Sequence, residues 1–132
     1  MLTFVDTGVW YASVVPSDPR HADVMSWHAS NGWPLITTDY VIDETLTLLR
    51  ARGERTRADR LGHYFFNLSG VAIEFLAESD IRRAWEIFHQ FGDKDWSFTD
   101  CTSKAVIDRL HVKRALTFDR HFAEFGSLRI EP

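Results

Sequence analysis

Leu2-Thr-Phe-Val-Asp6-Thr-Gly-Val-Trp-Tyr-Ala12 is the stretch on which the fold turns. Leu2 to Val5 reads as a short buried strand, and Asp6 ends it. From Thr7 to about Val14 the chain reads as a short helix. A strand that runs straight into a helix is the opening of a parallel α/β unit.

The rest of the chain repeats that alternation. Residues 20–31, 39–52, 54–67, 79–91 and 99–111 read as helices, the first ended near Asn31-Gly32 and the second stopped by Gly53. Leu35 to Thr37, Val71 to Phe75, Ala115 to Phe118 and Leu128 to Ile130 read as strands, with a short helix expected over 119–125. Short apolar strands separated by helices imply parallel pairing with helices on both faces, and right-handed crossovers leave few topologies. The expected fold class is a doubly wound α/β domain spanning residues 1–132. Ligands bind such sheets beyond the carboxyl ends of the strands.

With 132 residues, 45% of them hydrophobic, the chain is long enough to bury one core. Pro16-Ser-Asp-Pro19 is a turn, too short to divide domains. A single cysteine, Cys101, excludes an internal disulfide and fits a reducing cytoplasm. No apolar run reaches the ~18 residues needed to span a membrane, and the first residues lack the basic and apolar regions of a secretory signal. The expected location is cytoplasmic.

Net charge is −4, from 15 Lys+Arg and 19 Asp+Glu. Nucleic-acid binders usually leave a basic footprint. If four acids share one cation-filled pocket, the remaining surface balances at 15 against 15, which is compatible with a polyanionic substrate.

Asp6 and Asp119 each stand where a strand is expected to end and a helix to begin. Helix capping, worth ~1 kcal/mol, accounts for either alone. Two in equivalent positions point to one shared crevice. Glu44 shares a helical face with Val41 and Leu48, placing it on or beside the buried stripe, whereas Asp43 aligns with Thr47 and Arg50. An inward carboxylate is costly unless paired or metal-bound. Asp100 opens the helix after Ser97-Phe-Thr99, where compensation of the helix dipole is the plain alternative. Two carboxylates ~5 Å apart repel by about 3 kcal/mol at an effective dielectric near 20. Such a cluster must protonate or hold a divalent cation, and hard oxygen ligands select Mg²⁺ or Mn²⁺. No histidine constellation competes for that role.

At these residues the sequence resembles the PIN-domain nucleases, and among them the VapC-type toxins of toxin–antitoxin systems. The matching strings are Phe4-Val-Asp6-Thr7-Gly-Val-Trp-Tyr-Ala12, Asp43-Glu44-Thr-Leu-Thr-Leu-Leu49, Ser97-Phe-Thr-Asp100 and Leu116-Thr-Phe-Asp119-Arg-His-Phe122. The resemblance covers nearly the whole chain, in order. It implies about five parallel strands and Mg²⁺- or Mn²⁺-dependent hydrolysis of RNA. It also implies a cognate antitoxin and a homodimer. By carry-over Asp6, Glu44 and Asp100 are metal ligands and Asp119 completes the pocket, as the member least essential for the first metal. Thr7, Ser97 and Thr99 would orient a ligand or water through their hydroxyls. Attack by water in line with the leaving 3′-oxygen would give 5′-phosphate and 3′-hydroxyl ends.

Between Arg50 and Arg60 five of eleven residues are arginine. Arg50, Arg52, Arg55 and Arg57 are the candidates for phosphate contact. An exposed helical hairpin with local Glu and Asp pairing is the alternative, and charge runs usually are solvated faces. Trp10, Trp27, Trp85 and most phenylalanines are expected in the core. His63-Tyr-Phe-Phe66 is expected there too. His21 and His28 read as ordinary helix residues. Competing enzyme classes lack their motifs: position 8 is Gly, which removes the Asp-x-Asp of aspartyl phosphatases, and no phosphate-binding glycine loop is present. A PIN-like nuclease of RNA processing, or a non-catalytic PIN-like binding module, is the alternative function; the non-catalytic form predicts a missing acid.

Overall fold

The computed structural model describes residues 2–67, 70–126 and 128–132. Five strands form one parallel sheet: β1 (Thr3–Val5), β2 (Leu35–Thr38), β3 (Val71–Glu74), β4 (Arg114–Leu116) and β5 (Arg129–Glu131). The spatial order is β3-β2-β1-β4-β5, with every pair parallel. Six α-helices connect and flank them: α1 (Thr7–Val14), α2 (His21–Ser30), α3 (Asp39–Ala51), α4 (Arg55–Asn67), α5 (Glu78–Gln90) and α6 (Phe98–Leu110).

The order explains where a site can form. From β1 the chain steps outward to β2 and β3, then returns to the other side of β1 for β4 and β5. The connections therefore diverge at the carboxyl ends of β1 and β4. This is the switch point at which open α/β sheets leave a crevice. The central strand β1 is buried along its whole length, as the apolar run Leu2 to Val5 requires.

Most element ends shift by a residue from the sequence expectation, and three departures change a reading. The fourth strand ends at Leu116, so Thr117 and Phe118 belong to the loop beyond it. The third strand ends at Glu74, leaving Phe75 62% exposed. The turn after Asp119 is a 3-10 helix, Arg120–Phe125, rather than α-helix. Its anchor is Phe122, fully buried and 6.0 Å from the Phe4 ring. Phe125 continues the cluster, 4.7 Å from Phe122 and 5.0 Å from Trp96. This aromatic wedge fixes the turn that carries Asp119 and His121.

Trp10 is buried as expected, with its ring edge-on to Phe65, and its Nε1 donates to the Val5 carbonyl at 3.1 Å. Trp85 is not in the core. It is 59% exposed and stacks on Phe88 on the outer face of α5. The His63–Phe66 run divides: Phe65 is buried, while Phe66 is exposed.

Candidate active site

Asp6 sits at the carboxyl end of β1. Its backbone N–H donates to the Leu116 carbonyl at 3.1 Å, extending the β1–β4 ladder by one residue. That bond brings Asp6 beside Thr117, whose hydroxyl donates to Asp6 Oδ2 at 3.1 Å. Asp6 holds the N-cap position of α1, yet its side chain makes no cap hydrogen bond. Capping therefore does not explain this residue.

Asp100 enters from the first turn of α6. Ser97 Oγ accepts the Asp100 N–H at 3.0 Å, and Asp100 Oδ2 accepts the Ser97 N–H at 3.0 Å. This reciprocal capping box satisfies two N–H groups that a helix start leaves free. It also locks the Asp100 rotamer. Capping and site geometry are compatible here, because one carboxylate carries more lone pairs than the cap uses.

Asp119 caps the 3-10 turn: its Oδ1 accepts the His121 N–H at 2.9 Å. Its own N–H donates to Thr117 Oγ1 at 2.9 Å. The Thr117 hydroxyl thus accepts from one acidic residue and donates to another. The His121 Nδ1 lies 3.3 Å from Asp100 Oδ2 and 3.2 Å from Asp119 Oδ1.

The electrostatics follow from burial. Asp6 is 8% exposed, and loss of solvent pushes its carboxyl group up to about 7. The Asp100 and Asp119 charges add to the rise, while the Thr7 backbone N–H and the Thr117 hydroxyl offset part of it. Burial likewise raises Asp100, helped by the Asp119 charge and opposed by the Ser97 N–H and by His121. Burial and the Asp100 charge push the Cys101 thiol up to about 11, which rules it out as a thiolate nucleophile.

Glu44 joins by another route than expected. The buried face of α3 is Val41, Ile42, Thr45 and Leu49, and Glu44 is exposed. The expectation that Glu44 lies on the buried stripe fails because Thr45 takes that place. Its hydroxyl returns to the Val41 carbonyl at 2.7 Å, so a threonine is buried there without an unpaired group. What ties Glu44 to the pocket is Thr7, whose Oγ1 donates to Glu44 Oε2 at 2.8 Å from the residue next to Asp6.

Of the supporting hydroxyls, Thr7 and Ser97 hold acids as described. Thr99 does not: among the described residues its hydroxyl donates to none of the four carboxylates, and its carbonyl accepts from Thr102. Thr117 and His121 are the residues that sequence reasoning missed. Both lie inside the string Leu116–Phe122. A 3-10 turn brings residue 121 back over residue 119.

The arginine stretch splits as well. Arg57, in the first turn of α4, pairs with Glu54 just before that helix. Arg52 lies over the Tyr11 ring at 5.0 Å. Arg50 lines a groove of about 710 Å³ between α3 and α4, together with Ala58, Gly62 and Phe66. Arg55 is exposed.

A parallel α/β domain that gathers Asp6, Asp100 and Asp119 at its switch point, with Glu44 tied to its edge through Thr7, offers the oxygen donors that hard divalent cations take. The donor set fits: carboxylate oxygens dominate it, with one imidazole nitrogen. Comparison with known proteins gives the family. The PIN domain model matches residues 3–128. The chain is 31% identical over 133 residues to the 23S rRNA-specific endonuclease VapC20 of Mycobacterium tuberculosis, covering 99% of both chains. It is 30% identical to a VapC ribonuclease of Archaeoglobus fulgidus, covering 93% of this chain and 80% of that one. The crystal structure of VapC20 superposes with a TM-score of 0.91 at 28% identity, over 100% of each chain. VapBC2 of Rickettsia felis, solved with a DNA fragment from its promoter, shares the fold at a TM-score of 0.70 and 13% identity, over 99% of this chain and 98% of that one. The chain belongs to the PIN-domain family and is a nuclease of the VapC type.

Proposed function

We propose that this chain is the toxin of a type II toxin–antitoxin pair and hydrolyses RNA phosphodiester bonds with Mg²⁺ or Mn²⁺ held by Asp6, Glu44, Asp100 and Asp119. One observation carries the reading. Burial, and then the neighbouring acid charges, raise the pKa values of Asp6 (beside Asp100 and Asp119) and of Asp100 (beside Asp119). A protein that gained nothing from these acids would lose nothing by replacing one with Asn.

Each residue has a distinct task. Asp6 and Asp100 supply buried oxygens, aimed by Thr117 and by the Ser97 capping box. Asp119 closes the pocket from the 3-10 turn. Glu44, held by Thr7, faces the solvent side, where a phosphate would enter. A divalent cation in this position supplies Lewis acidity at the phosphoryl oxygen and eases deprotonation of water. Arg50, Arg52 and Arg55 are proposed to contact RNA phosphates, whereas Arg57 is engaged by Glu54. The likeness to VapC20 makes 23S rRNA the first substrate to try. The expected partners are an antitoxin protein and a second copy of the chain, and the expected location is the cytoplasm. Among the described residues no helix is long and apolar enough to cross a membrane.

The test is cleavage of RNA by purified protein with Mg²⁺ or with EDTA, beside the Asp6→Asn variant. Cleavage that depends on the cation and vanishes in Asp6→Asn supports the reading. Metal-independent cleavage, or full activity in Asp6→Asn, contradicts it. For the arginines, Arg52→Ala with Arg55→Ala should flatten the salt dependence of RNA binding, and an unchanged slope returns them to the solvated face.

A further inference from the structure

Among the described residues His121 is the one side-chain nitrogen grouped with the pocket carboxylates, and it is given no task among the proposed metal-binding acids. Its Nδ1 faces two acids from different segments, Asp100 on α6 and Asp119 at the head of its own turn. One ligand atom from each of the three residues falls within 4.8 Å of the others. The ring is held in that attitude from both sides along the chain. The His121 N–H is fixed by Asp119 Oδ1, and the next residue, Phe122, is fully buried.

His121 Nδ1 is in hydrogen-bond geometry with Asp100 Oδ2 at 3.3 Å and stands 3.2 Å from Asp119 Oδ1. Both contacts are longer than the about 2.7–2.9 Å of a charge-assisted N–H···O⁻ bond, and one hydrogen bond does not account for both neighbours. Neighbouring ligands around an octahedral cation with bonds of about 2.1 Å are separated by about 3.0 Å. Both contacts of His121 Nδ1 are near that edge length, and the three donor atoms lie within 4.8 Å of one another.

Resting on the reading of the acid pocket as a cation site, we propose that His121 is a nitrogen ligand of that cation together with Asp100 and Asp119, and that it biases the pocket toward Mn²⁺ over Mg²⁺. Carboxylate and water suit Mg²⁺ and Mn²⁺ alike. Imidazole suits first-row transition metals and adds little for Mg²⁺. One nitrogen among oxygens therefore separates two cations that an all-oxygen pocket treats nearly alike.

The test is electron spin-echo spectroscopy of the full chain loaded with Mn²⁺ alone. The expected result is ¹⁴N modulation of the bound Mn²⁺ signal, replaced by a ¹⁵N pattern when the protein carries ¹⁵N-labelled histidine, and absent from His121→Ala. Calorimetric titration of His121→Ala should show Mn²⁺ affinity reduced about tenfold or more and Mg²⁺ affinity changed far less. Bound Mn²⁺ without histidine nitrogen coupling in the unsubstituted protein overturns the ligand assignment and leaves the cation pocket standing. Coupling that survives in His121→Ala overturns it too, by placing the nitrogen elsewhere. If Mn²⁺ does not bind at all, the pocket reading fails and the assignment fails with it. The spectrum of the unsubstituted chain decides the matter even if His121→Ala does not fold.

Discussion

Asp6 and Asp80 are the same residue type at nearly the same burial, 8% and 3% exposed. Their carboxyl groups are pushed in opposite directions. Asp80, at the start of α5, receives the Arg109 guanidinium through two contacts at 2.7 and 3.0 Å, and it accepts the Ala77 N–H at 3.0 Å. Arg109 also reaches Glu74 at 2.7 Å. The Arg109 hydrogen bond holds Asp80 below the usual carboxylate range. Asp6 is pushed up to about 7 by burial and then by the Asp100 and Asp119 charges, against the Thr7 N–H and the Thr117 hydroxyl. One acid cluster has its cation built in as a side chain. The other, on the proposed function, is completed by a divalent cation. A buried carboxylate with a fixed Arg is structural; one surrounded by its own kind is a binding device.

Exchanging the roles of the two clusters breaks this comparison in the most visible way. Asp6→Asn should reduce RNA cleavage by at least about 10²-fold, since even partners that merely orient metal ligands cost 10–100-fold. Arg109→Gln should leave kcat/KM essentially intact at a temperature where both proteins are folded. Equal losses of activity in the two variants would erase the distinction.

Stability sharpens it from the other side. Arg109→Gln strands Asp80 without its cation and should cost about 1–3 kcal/mol in urea unfolding. Breaking a fully buried pair costs more, but Arg109 is partly solvated. A smaller effect is expected at Thr117. Thr117→Val removes the donor to Asp6 and the acceptor for the Asp119 N–H, and should weaken divalent-cation binding about tenfold by calorimetry. An unchanged affinity would mean that Thr117 supports the loop and not the pocket.

How far the sequence revealed these features depends on which force placed each residue. The alternation of short apolar runs and amphipathic helices sufficed for the sheet, because a strand buried on both faces has little freedom in composition. Asp6 stands at the strand end that the sequence indicated, whereas Asp119 lies beyond two loop residues that follow β4. Asp100 looked like an ordinary first-turn acid and was recognised through the Ser97–Asp100 string; its capping box shows why position alone was ambiguous. Glu44 was singled out for an inward position that it does not hold. A helical wheel cannot anticipate that Thr45 buries itself by bonding back to Val41 and turns the stripe by one residue. Thr117 and His121 stayed hidden because the strand ends early and the following turn is 3-10, and both depend on tertiary packing around Phe122. Trp85 was assigned to the core on residue type, which says nothing about which helix face remains uncovered.

The central claim is that Asp6 belongs to a pocket completed by a cation, and its protonation reports on this directly. In an unfolded chain an Asp titrates near 3.9. In the folded chain Asp6 titrates at about 7. Between those values the native state holds a proton that the unfolded state has lost. The contribution of Asp6 to stability is therefore full below about pH 4, declines as pH rises, and is gone above about pH 7, a change on the order of a few kcal/mol. Thermal unfolding of the metal-free protein from pH 5 to 7.5, with and without Mg²⁺, measures this. The account expects Tm to fall across that window, Mg²⁺ to restore it at pH 7.5, and Asp6→Asn to remain stable at pH 7.5 without responding to Mg²⁺. An Asp6→Asn protein less stable than the unsubstituted metal-free chain at pH 7.5, with its Mg²⁺ response intact, would contradict it.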